Sequence, residues 1–77
     1  MTAEPDRAVD AIGLLCPLPV LKARKVLVSM KPGQTLRIET SDPIAVIDLP
    51  HFCIEDGHRL LSAEPQGDTH VFLIERG

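Results

Sequence analysis

The chain has 77 residues, a net charge of −3, 44% hydrophobic side chains and two aromatics, both phenylalanine. That length allows one small domain with an economical core, built here from Leu, Ile and Val. The scarcity of aromatics leaves no base-stacking platform, the acidity argues against tight direct nucleic-acid binding, and no apolar run reaches the ~20 residues of a membrane helix.

Two widely separated cysteines, without a Cys-x-x-Cys pair or an apolar leader, predict a reducing, cytoplasmic setting rather than a disulfide scaffold. The charge is uneven. Ala11 to Ile38 holds no acidic residue but carries Lys22, Arg24, Lys25, Lys31 and Arg37, while eight of the eleven acids lie from Glu39 onward. A solvated helix face accounts for any single lysine; as a group they suit a docking role or the stabilisation of an anion.

Residues 1–6 read as a flexible tail and 7–77 as a single domain. Arg7 to Ala11, with Val9 between charged neighbours, predicts a first strand. Asp10 to Pro19 then predicts a strand end, a tight loop and a helix start. Proline suits the first helical position, so Pro17 there makes Cys16 the N-cap, and Pro19 falls within the same first turn. A sulfur at that place faces free N–H groups and the positive end of the helix dipole, which favours thiolate over thiol. Gly13 permits a positive φ and leaves room for a second molecule to approach. Asp10 either orients this loop through its side chain or is an exposed strand residue. Against the reactive reading stands the plain one, Cys16 as a small buried hydrophobe.

The helix predicted from Pro17 to Met30 lines up Val20, Ala23, Leu27 and Met30 opposite Lys22, Lys25 and Ser29. Arg24 falls on the mostly apolar side, where it either snorkels or brings its head near Cys16. Lys31-Pro32-Gly33-Gln34 stops the helix, and Thr35 to Thr40 alternates as a second strand, parallel to the first across a βαβ crossover. Ser41-Asp42-Pro43 opens a second helix with Asp42 as cap. Pro50 is expected to kink or divide that helix, with Asp48 capping the second part, and Gly57 to stop it. His58 to Ala63 and Thr69 to Arg76 predict an antiparallel hairpin joined by Pro65-Gln66-Gly67-Asp68. The resulting fold is α+β, a two-layer β-α-β-α-β-β sandwich with two helices on one face of a four-stranded mixed sheet.

Cys53 reads as a buried, inert thiol, with a resolving role for Cys16 as the alternative. His51, His58 and His70 are scattered and no zinc-ligand spacing occurs, so neither metal nor cofactor is expected. Phosphate-loop and Gly-x-Ser-x-Gly motifs are absent.

Asp10-x-x-Gly13-x-x-Cys16-Pro17-x-Pro19 with its basic helix, Pro32-Gly33, Asp42-Pro43-x-Ala45, Asp48-x-Pro50, Phe52-Cys53 and Gly57-His58 resembles the TusA (SirA-like) sulfur carrier family, from about Val9 to Gly77. The resemblance implies a cytoplasmic sulfurtransferase whose Cys16 accepts a persulfide sulfur from a cysteine desulfurase and relays it to an acceptor protein. In the best-known members the relay ends in 2-thiolation of tRNA wobble uridine; others serve molybdenum cofactor synthesis, sulfur oxidation or selenium metabolism. Leu15 and Leu18 stand where the tRNA-relay members commonly carry charge, a departure that bears on the partner. In the mechanism expected, a Cys16 thiolate attacks the outer sulfur of a donor persulfide and is attacked in turn by the next thiolate, with Lys22, Arg24 and Lys25 assisting docking or charge stabilisation. The free protein is expected to be a monomer. Two other classes remain open: a regulatory or adaptor module with a structural Cys16, and a peroxide-sensing thiol.

Overall fold

The computed structural model describes residues 4–77. Part of the predicted tail, residues 1–3, lies outside the described residues, while Asp6 is already tied to Thr35. Its N–H donates to the Thr35 carbonyl at 3.0 Å, and its carboxylate accepts the Thr35 N–H at 2.8 Å.

The elements run β1 (Arg7–Ala11), α1 (Leu18–Val28), β2 (Thr35–Thr40), α2 (Ala45–Asp56), β3 (Arg59–Gln66) and β4 (Thr69–Glu75). Both helices pack against one mixed four-stranded sheet of order β1-β2-β4-β3. β1 pairs with β2 in parallel, whereas β2–β4 and β4–β3 are antiparallel.

Register places the core. Leu36 lies opposite Ile74 and Ile38 opposite Phe72, so the two central strands present four large apolar side chains to one face. All four are fully buried, beneath Ala23 and Leu27 of α1 and Leu49, Phe52 and Cys53 of α2. Each such burial contributes roughly 1.5–3 kcal/mol. The edge strands carry less of it, with Val9 and Leu60 only partly buried against the cluster.

Several element boundaries differ from those read in the sequence; among them, β3 starts at Arg59 rather than His58 and β4 ends at Glu75 rather than Arg76. α1 starts at Leu18 and ends at Val28 rather than spanning Pro17 to Met30. At its C-terminal end Ser29 and Met30 donate to Val26 and Leu27, three residues back, which tightens the last turn. α2 starts beyond Pro43 and runs through Pro50 as one helix, so Pro50 does not divide it and Asp48 caps no second part. Asp42 still marks its approach: the side chain accepts the Ile44 N–H at 3.0 Å and the carbonyl accepts that of Ala45, although the N-cap residue is Ile44. β3 extends to Gln66, leaving a two-residue turn at Gly67-Asp68, with Gly67 at φ +62°. Pro65 fits within β3 because that strand is at the sheet edge, where a missing N–H need not break a ladder.

Candidate functional site

The segment between β1 and α1 is shaped by hydrogen bonds from three directions. Asp10 accepts the Ile12 N–H at 2.9 Å, turning the chain as it leaves the strand. Gly13, at φ +84°, donates to Ser41 Oγ at 2.8 Å, and Cys16 N–H donates to Asp42 Oδ2 at 2.7 Å. The loop that carries the cysteine is therefore pinned to the β2–α2 connection. Asp42 is 7% exposed and spans both elements, one oxygen on Cys16 and the other on Ile44.

Cys16 precedes α1 but does not cap it. Pro17 is the N-cap residue, joined to Cys16 by a cis peptide bond, and Pro19 is buried in the first turn. The shift matters because the sulfur is turned toward the second helix instead of the free N–H groups of the first. Cys16 is exposed, and its Sγ lies 2.7 Å from Asp48 Oδ2 on the first turn of α2.

That contact overturns the expectation of a thiolate-favouring site. The hydrogen bond to Asp48 holds the Cys16 thiol above its ordinary value, assisted by desolvation and by the charges of Asp48 and Asp42. Among the described residues no cation offsets them. Lys22 Nζ donates to the Asp10 carbonyl at 2.7 Å, Arg24 pairs with Asp56 at 3.5 Å and lies 5.5 Å above the Phe52 ring, and Lys25 is in the last turn of α1. The guanidinium of Arg24 thus points to the far end of α2, away from Cys16. Beside the cysteine, α1 and α2 form a groove lined by Val20, Arg24, Asp48, His51, Phe52 and Glu55.

Cys53 is buried on the core side of α2, where desolvation, with the charge of Asp56, pushes its thiol up to about 11. Among the described residues no cluster of His, Cys, Asp and Glu side chains has the makings of a metal site, and no helix is long and apolar enough to cross a membrane.

A family model for the TusA sulfurtransferase matches residues 7–76. The chain belongs to the TusA family. A SirA-like protein from Desulfitobacterium hafniense has the same fold, with a TM-score of 0.81 at 24% identity over 92% of this chain and 97% of that one. Membership of the TusA family supports a sulfur carrier role and implies donor and acceptor protein partners. Against that background Asp48, Asp42 and Ser41 are the residues that sequence reasoning missed at the site. Their helix-opening pattern was visible, but it says nothing about which loop they reach.

Proposed function

We propose that the protein is a persulfide carrier in which Cys16 accepts sulfur from a cysteine desulfurase and relays it to an acceptor protein, on the route to tRNA wobble-uridine 2-thiolation. The observation that carries this reading is the exposed Cys16 sulfur, displayed on a loop tied to the β2–α2 connection in a chain of the TusA family. Ile12, Leu15, Leu18, Ile44 and Ile47 are exposed close to Cys16 or Asp48 in sequence, an apolar setting suited to a partner protein. Lys22, Arg24 and Lys25, with their charges at the surface of α1, serve docking rather than thiolate stabilisation.

In the transfer, Cys16 Sγ attacks the outer sulfur of the donor persulfide. The donor's S–S bond breaks, Cys16–S–SH forms, and the donor cysteine leaves as a thiol. The acceptor repeats the exchange on the loaded Cys16. Incubation with a cysteine desulfurase and cysteine, followed by intact mass, tests the step. Wild type and Cys53→Ser gain one reducible sulfur atom, and Cys16→Ser gains none; sulfur uptake that survives Cys16→Ser overturns the assignment. The acceptor is tested separately, by wobble-uridine 2-thiolation in cells where this chain is the sole TusA-family protein. Thiolation unaffected by Cys16→Ser moves the acceptor to molybdenum cofactor synthesis or sulfur oxidation.

A further inference from the structure

The Cys16–Asp48 contact treats the empty and loaded states of a carrier unequally. In the empty state the thiol donates its proton to Asp48 Oδ2 at 2.7 Å, a charge-assisted hydrogen bond that exists only while the sulfur is protonated. A persulfide is a stronger acid than a thiol and at neutral pH is largely the anion, Cys16–S–S⁻. It has no proton to donate, and its charge is one bond beyond an atom already in contact with a carboxylate. Among the described residues, the ionised groups acting on this sulfur have the same sign: Asp48 on α2 and Asp42 on the β2–α2 connection. On α1, Lys22 donates to the Asp10 backbone carbonyl and Arg24 pairs with the Asp56 carboxylate.

We propose that Asp48 is a positioning residue that sets the sulfur-transfer equilibrium of Cys16, favouring the empty thiol over the loaded persulfide and so making loaded Cys16 a ready donor to the next thiol. The inference rests on the carrier reading above. In the exchange Cys16–SH + R–S–S⁻ → Cys16–S–S⁻ + R–SH, one S–S bond breaks and one forms, and the Cys16 proton passes to the departing thiol. Asp48 stabilises the left side through its hydrogen bond and destabilises the right through repulsion. Loading then requires a strong or closely docked donor, while discharge is favourable by itself.

Equilibration with glutathione persulfide and glutathione at a fixed ratio, without oxygen, tests this. Intact mass reads the loaded-to-empty ratio for wild type and Asp48→Asn, with Cys16→Ser as the blank for sulfur placed elsewhere. Asn keeps the shape of the side chain and removes its charge. The ratio rises about three- to tenfold in D48N at neutral pH, a charge-assisted bond discounted for its exposure to water. The pH midpoint of Cys16 alkylation falls in the same variant, which a purely structural role would not produce. If D48N loses the wild-type circular dichroism, D48S is read in its place. A loaded ratio equal to or below wild type overturns the proposal while leaving the carrier reading intact; failure of wild type and D48N alike to take up any sulfur at Cys16 overturns both.

Discussion

Asp42 accepts the N–H groups of Cys16 and Ile44 through its two side-chain oxygens, at 2.7 and 3.0 Å, from a position only 7% exposed. Asp42→Ala leaves both donors without their partner, and partial access to water keeps the expected loss near 1–2 kcal/mol in urea unfolding. Asp42→Asn keeps one acceptor oxygen and loses less. Because the Asp42 charge also raises the Cys16 thiol, both variants lower the pH midpoint of Cys16 alkylation; an unchanged midpoint would show that Asp42 does not act on the sulfur. At this scale the sequence was only half legible. Cys16, Gly13 and the two prolines announce themselves by local grammar, since a glycine at positive φ and a proline-opened helix are properties of adjacent residues. Asp48 and Asp42 act on Cys16 from 32 and 26 positions away. No spacing rule predicts which side of a loop a sulfur will face once Pro17 rather than Cys16 becomes the cap, and that rotation reversed the expected direction of the thiol's titration.

The element pattern was read more fully than its punctuation. Alternation in Thr35–Thr40 and the 3, 4, 3 spacing of Val20, Ala23, Leu27 and Met30 fix which faces are buried, and a two-layer α+β sandwich follows. Pro50 does not divide α2, because its effect is a contest between local and tertiary energies. An interior proline costs about 3 kcal/mol, and it disfavours the helical region for the residue before it. That residue is Leu49, which is fully buried, and Phe52 and Cys53 follow on the same core face. Burying them returns roughly 1.5–3 kcal/mol for each large side chain, enough to carry the helix through. Pro50→Ala tests the balance. The restored N–H can donate to the Val46 carbonyl, against about 0.4–1 kcal/mol of added unfolded-chain entropy, so the variant is expected to be more stable by about 1 kcal/mol in urea unfolding. A less stable variant would mean that the proline ring's own packing outweighs the missing bond.

On the scale of the whole molecule, helix layer and sheet are closed by contacts from the end of the chain. Arg76 Nε donates to the Leu27 carbonyl at 2.9 Å, linking β4 to the C-terminal turn of α1. Gly77 N–H donates to His58 Nδ1 at 3.1 Å where α2 meets β3, and the His58 ring lies 5.6 Å from that of Phe52. An imidazole nitrogen that accepts this bond must be unprotonated. Desolvation and, to a lesser extent, the Arg76 charge lower the His58 titration below its ordinary 6.5, with Asp56 opposing. The unfolded chain therefore takes up this proton at a higher pH than the folded one. Stability is fully present above the unfolded value and is lost as pH falls through the folded one. His58→Gln lacks that titration while His51 and His70 remain in both proteins, so the comparison isolates one site. The thermal midpoint of wild type is expected to exceed that of H58Q most at about pH 7.5 and least at about pH 5.5, because only wild type then pays the cost of protonating the acceptor of Gly77. A difference that does not change with pH would place the stabilising role of His58 in its contact with Phe52 instead of in its neutral nitrogen.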